Sequence, residues 1–300
     1  MKPQAIHRIG QAAAGVWGNH TATIDWCEDN YAVSIYLAEF WNTVSNIPFV
    51  CLGLYGIWRT RGLPSRSRYV LLQGGIAAIG VGSMIFHSTL KWHAQVMLDE
   101  LPMIFVSTLA LYLLVADDEP KPSSSRHLLI KLGLALVPIC VSVAYLAYPD
   151  PILHQICYAV IQTASIFRLW FLYRSERLTP AMVERSKVLL NTGTIIFLLG
   201  FFVWNLDNIF CDNITFWRRN VSEYLGWISQ GHAMWHVLTG IGASRMAVGI
   251  TYLTLSLRHP GDYELAYSLP YLPHVRPKSR KHLANGTSPR LGSTRDKKEL

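Results

Sequence analysis

The chain has 300 residues, 51% of them apolar and only 15% charged, with a formal net charge of +8 and a mean hydropathy of +0.23. Soluble domains carry about 25% charge, so a water-soluble fold is excluded, as are disordered, fibrous and collagen-like chains. Five cysteines in this length exclude a small disulfide scaffold as well. What remains is a polytopic membrane protein.

In chain order, residues 1–32 contain no apolar run of the secretory-leader kind and end in the acidic stretch Asp25-Trp26-Cys27-Glu28-Asp29-Asn30. Seven apolar segments follow, at roughly 33–57, 69–90, 96–116, 127–147, 152–173, 188–209 and 227–256. Each approaches the length of about 20 residues that crosses a bilayer as a helix. The expected fold is therefore all-α, a seven-transmembrane-helix bundle over 33–257. It follows a lumenal N-terminal segment (1–32) and precedes a basic, mostly disordered cytosolic tail (258–300).

The positive charge follows the membrane. Basic residues gather at Arg59–Arg68, Lys121–Lys131, Arg174–Lys187 and in the tail, which holds nine Lys/Arg against four acids from Arg258 onward. With no separate basic fold, no nucleic acid is expected as a partner. The positive-inside rule places the C-terminus in the cytosol and the N-terminus in a lumen. The final Lys297-Lys298-Glu299-Leu300 resembles a dilysine signal read by retrieval coat machinery. It points to the endoplasmic reticulum, with the Golgi second. The sequons Asn19-His20-Thr21, Asn213-Ile214-Thr215 and Asn220-Val221-Ser222 fall on the lumenal side, whereas Asn285-Gly286-Thr287 falls on the other. Tripeptides of this kind also arise by chance.

Ionisable groups inside membrane helices are expensive and mark function by default. His232 and His236 of the last segment are four residues apart, on one helix face, where both can reach one metal ion. Taken alone, such a pair is more often explained by hydrogen bonding between helices. Ser83 and His87 share a face at matching depth in the second segment, and Asp99 enters the third nearby. Three neutral imidazoles with an open fourth position suit a hydrolytic zinc site, with Asp99 as its acid–base group. A carboxylate at a helix start is also explained by the helix dipole. His93 reads as solvated and His154 as interfacial. Asp25, Glu28 and Asn30, with Glu39 deeper, offer hard oxygen ligands of the kind calcium takes; a solvated acidic loop explains all but Glu39. Asn205, Asp207 and Asn208 read as hydrogen bonds between helices. Cys51, Cys140 and Cys157 lie inside spans. Cys27 and Cys211 alone lie on the lumenal side, where a disulfide between them is permitted.

The blocks Asp25-Trp-Cys-Glu28-x-Asn30-Tyr, Ala38-Glu39-Phe-Trp-Asn42-Thr-Val-Ser-Asn46, Gly82-Ser83-x-x-Phe-His87-x-Thr-Leu, Leu98-Asp99-Glu-Leu-Pro-Met103, Trp204-Asn-x-Asp207-Asn-Ile-Phe-Cys211 and His232-Ala-x-Trp-His236-x-Leu-Thr-Gly resemble the alkaline ceramidase family over residues 17–256. The connection Leu90–Leu98 is one residue longer than the resemblance leads one to expect. The resemblance implies a seven-helix intramembrane amidase related to adiponectin receptors. It implies zinc held by His87, His232 and His236, catalysis by Ser83 and Asp99, and calcium held by Asp25, the Trp26 carbonyl, Glu28, Asn30 and Glu39. The implied reaction takes a ceramide-type lipid from the bilayer and hydrolyses it to a sphingoid base and a fatty acid. The alternative is a zinc-containing receptor of the same superfamily.

Overall fold

The computed structural model describes residues 15–116, 125–220, 226–269 and 271–278. The dilysine end, Asn285 and part of the Asn220–Ser222 sequon lie outside the described residues. The fold is overwhelmingly helical, and its lipid-facing exterior is apolar: Leu129, Val143, Phe167 and Ile195 are all exposed.

The first apolar segment is two short helices, α1 (Phe40–Val44) and α2 (Ile47–Arg59). The break has a local cause. Ser45 Oγ and Asn46 Nδ2 both donate to the Asn42 carbonyl, competing with the helical ladder. Pro48 adds a ring that fits only the first turn of a new helix. Helix α3 (Arg66–Thr89) ends where Leu90 turns left-handed, with φ 50°. The chain then runs through α4 (Trp92–Ala94), a π-helical turn (Gln95–Glu100) and α5 (Leu101–Ala116) as one rod. A π turn holds one residue more than an α turn. Gly82 makes room for it: any Cβ there would lie 1.8 Å from the Leu98 carbonyl oxygen.

Helices α6 (Ser125–Ala147), α7 (Pro151–Leu172) and α8 (Pro180–Ile209) follow. The last two start in the same way, with proline in the first turn and a side-chain cap: Asp150 accepts from Ile152 N–H and Thr179 from Met182 N–H. After α9 (Cys211–Asn220) and a single 3₁₀ turn (Trp227–Ser229), α10 (Gly231–Arg258) returns antiparallel to α8. These two approach closely at Gly193 and Gly242. A Cβ on either would come within 2.8 Å of the other's carbonyl oxygen, the small-residue contact typical of membrane helices.

Five helical segments are long and apolar enough to cross a membrane: Arg66–Thr89, Trp92–Ala116, Leu128–Ala147, Pro151–Leu172 and Pro180–Ile209. The other two expected spans differ for physical reasons. One is divided at Ser45–Asn46, and α10 is diluted by its own histidines, glycines, hydroxyls and Arg245.

The apolar core lies toward the Arg258 end of α10, where Tyr69 and Leu72 of α3, Leu113 and Leu114 of α5 and Leu189 of α8 meet Tyr252 and Leu253. A correction to the expected tail belongs here. Residues 263–277 fold into an antiparallel hairpin of β1 (Tyr263–Ser268) and β2 (Leu272–Pro277), Tyr263 opposite Pro277. Val275 joins the core, and His274 is buried against Tyr55 and Arg59 of α2.

Candidate functional site

At the opposite end of the bundle, α3 and α10 bring three histidines together. His87 projects from the last turn of α3, and His232 and His236 from the first two turns of α10. Their ligand atoms lie within 4.8 Å of one another, and all three residues are buried. Among the described residues this is the only group of three or more His, Cys, Asp or Glu side chains near enough to share an ion.

The imidazoles are oriented from behind. His87 Nδ1 donates to Glu39 Oε2 at 2.5 Å, which Asn42 Nδ2 also reaches. That bond leaves His87 Nε2 as the free lone pair, and this atom is buried with no hydrogen-bond partner. His232 Nδ1 is in the same state, its ring centroid 4.3 Å from that of Trp26 and tilted 50° to it. His236 Nδ1 lies 2.8 Å from Ser45 Oγ, whose own proton goes to the Asn42 carbonyl. The break between α1 and α2 is thus what presents Ser45 and Asn46 to the cluster. Two orphaned imidazole nitrogens in a buried cluster whose three histidines can bring ligand atoms within 4.8 Å of one another fit a metal ion, since bare lone pairs without one would be left unsatisfied.

Ser83 lies one turn before His87. Its side chain interacts with that of Asp99, and its hydroxyl oxygen accepts from Asn46 Nδ2 at 3.1 Å. The π turn carries Asp99 to this position. Next to it, Glu100 turns away and accepts from Gln95 and Tyr145, while His154 Nε2 donates to the Glu100 carbonyl. His154 is buried in this polar network. His93 is exposed. Asp207 accepts from the Gly231 N–H at 3.1 Å, a bond between helices that fixes the start of α10 and hence both its histidines.

The acidic N-terminal loop packs over this end. Cys27 and Cys211 form a disulfide, Cα atoms 5.4 Å apart. Arg218 of α9 donates to the Cys27 carbonyl and to Ser229. Asn30 Nδ2 donates to Asp25 Oδ1, and the Glu28 carboxylate accepts from Trp41 and Asn42 N–H at the start of α1. Burial and the neighbouring Glu39 push the Glu28 carboxyl up to about 8, against the pull of those two N–H groups and Arg218. Glu39 Oε1, Asn30 Oδ1 and Asn42 Oδ1 are buried without partners. Unsatisfied oxygens beside two repelling carboxylates are the donor set a hard cation would satisfy. Asp25, Glu28 and Glu39 nevertheless do not converge as the histidines do, because Glu39 is turned toward His87 and Glu28 toward the α1 backbone. Sequence reasoning gives no role to Asn46 and Glu100, which it sees as polar residues in apolar segments, or to Ser45, which it meets only within a block of the resemblance; Tyr145 gives no signal.

A helical membrane protein with a buried, metal-ready histidine cluster and an adjacent Ser–Asp pair is the class these observations define. The Ceramidase family model matches residues 18–276, and the chain belongs to that family. It is 39% identical over 231 residues to mouse alkaline ceramidase 3, covering 76% of this chain and 82% of that protein. It is 32% identical over 284 residues to the alkaline ceramidase YPC1 of Saccharomyces cerevisiae, covering 89% and 88%. It is 30% identical over 268 residues to an alkaline ceramidase of Arabidopsis thaliana, covering 89% and 97%. The family match runs past residue 256 to take in the hairpin, which corrects the sequence-based boundary.

Proposed function

We propose that the chain is an intramembrane zinc-dependent ceramidase that hydrolyses the amide bond of ceramide, or of its phyto- or dihydro- forms, to a sphingoid base and a free fatty acid. The observation that carries this reading is the buried cluster of three histidines with two orphaned nitrogens, one helical turn from Ser83 and its neighbour Asp99, in a chain whose relatives are named alkaline ceramidases.

His87, His232 and His236 would hold zinc, which when bound supplies a Lewis acid for the amide carbonyl and an acidified water. Glu39 and Ser45 fix two of the three rings. Asp99 takes the proton of the attacking water and returns it to the departing amine. Ser83, freed from Asp99 as that carboxylate takes up the proton, donates to the oxygen on which charge develops. Asn46 keeps the hydroxyl in place by donating to its oxygen.

Asp25, the Trp26 carbonyl, Glu28, Asn30 and Glu39 would hold calcium, whose charge relieves the repulsion between Glu28 and Glu39 and stiffens the loop over the site. The topology that suits this chain has seven spans, the N-terminus lumenal and the tail cytosolic. The Cys27–Cys211 bond supports it, since disulfides persist in oxidising compartments. The endoplasmic reticulum is the membrane the dilysine-like end suggests, through coat machinery.

Fatty acid released from ceramide by the purified full chain tests the reading. Activity lost on chelation, restored by zinc, and absent in His87→Ala together with the bound metal is the expected result. Hydrolysis that survives complete metal removal would overturn it.

A further inference from the structure

Arg245 sits within α10 on the face that looks outward. It lies nine residues beyond His236, two and a half turns at 3.6 residues per turn, which puts it on the opposite side of the helix from the histidine cluster. Met234 and Ile241, at i−11 and i−4 from Arg245, share its face and are 44% and 36% exposed. On α8 the facing stripe is Val188, Thr192, Ile195 and Leu199, three of which are exposed apolar side chains. Arg245 is itself partly exposed beside these apolar side chains.

Its polar contacts are meagre. Nε and one terminal nitrogen converge on a single oxygen, Thr192 Oγ1, at 3.0 and 2.9 Å. The proton of that hydroxyl goes to the Val188 carbonyl. The other guanidinium N–H groups have no acceptor among the described residues, and no carboxylate there pairs with the charge. In a bilayer such donors must be satisfied by something.

Depth says by what. Thr192 is five residues past Lys187, the last charged residue of α8 on this side, and so about 7 Å into the apolar layer. Arginine reaches headgroups over such distances by snorkelling. The Gly193–Gly242 contact brings the two backbones together within one turn of both residues, so their side chains meet along a single α8–α10 seam. We infer that the α8–α10 seam binds an anionic phospholipid, whose phosphate oxygens accept from the outward N–H groups of Arg245 while Thr192 holds the guanidinium level. The leaflet is the one at the Arg258 end of α10, cytosolic in the topology proposed above. The site is independent of hydrolysis, because it lies on the far face of α10 from the histidine cluster.

The test uses the full chain in nanodiscs of phosphatidylcholine alone or of equal parts phosphatidylcholine and phosphatidylserine. Native mass spectrometry should show the wild type retaining phosphatidylserine over phosphatidylcholine. Arg245→Gln should lower that preference about fivefold, the size expected for one basic residue at an anionic surface; Arg245→Lys should keep most of it. Arg185→Gln, at the exposed start of α8, should change it little. Inorganic phosphate added to the detergent-purified protein should not shift its melting temperature, since free phosphate does not enter the seam. In the wild type, a photoactivatable phosphatidylserine should label the peptides carrying Thr192 or Arg245, a result that does not depend on any variant folding. Equal retention by wild type and Arg245→Gln, an equal loss in Arg185→Gln, or labelling elsewhere overturns the site. So does intact lipid retention in Arg245→Gln with loss of a tightly bound membrane subunit, which would make the seam a helix-docking surface.

Discussion

Around His236 the bundle is filled with side chains that hydrogen-bond one another, whereas around Tyr252, toward the far end of the same helix, it is filled with leucine. The first end holds buried Glu39, Asn42, Asn46, Ser83 and His87; the second holds Leu72, Leu113, Leu189 and Leu253 and is closed by the hairpin. Interiors of membrane proteins have little hydrophobic drive of their own, since lipid is as apolar as leucine. The leucine end therefore gains by packing, and the polar end gains only if its groups satisfy one another or an ion. Chemistry and stability are thereby assigned to separate ends of one bundle.

Four substitutions probe that division. The largest effect falls at the polar end. Asp99→Asn keeps the hydrogen bond to Ser83 but removes the proton acceptor, and fatty acid release should fall about 10²–10⁴-fold with bound metal and melting temperature unchanged. An Asn variant with undiminished turnover would return Asp99 to the status of a helix-start acid. At the other end, Leu253→Ala leaves a cavity in a fully buried position and should lose about 2–5 kcal/mol, read from thermal unfolding, with turnover per folded molecule preserved. If turnover fell in parallel, the two ends would be coupled and the division too simple.

Glu39→Gln joins the two quantities. It weakens the orientation of His87 and should lower metal affinity about 10–100-fold, measured by competition with a chelator, with hydrolysis recovering at high zinc. The smallest effect belongs to neither end. Val143→Ala on the lipid-facing side of α6, 65% exposed, should shift stability by less than about 0.5 kcal/mol and leave hydrolysis alone.

The sequence exposes this architecture unevenly. The pair His232 and His236 is legible because helical periodicity alone puts residues four apart on one face, and His87 is legible because its depth matches. Asp207 is legible as a bond between helices, which is what it makes to Gly231. Groups that meet only through tertiary structure are not. Glu100, Tyr145 and His154 come from three different helices, and no spacing connects them. The hairpin after α10 escapes notice because residues 263–277 are short, mixed in polarity and followed by a basic stretch. Arg245 is a different failure: a charge inside an apolar run is visible, but its outward direction is not until α8 is in place.

The disulfide joins residues 184 apart in the chain, and this separation orders events during synthesis. Domains form from the N-terminus as the polypeptide emerges, so Cys27 leaves the ribosome early and has no partner until α8 is complete. His87 waits longer still, because both of its companions lie in the last helix. Every nascent chain ending before residue 236 has an incomplete histidine cluster. The same holds for any product truncated before that point: it can embed in the membrane and it cannot assemble the site.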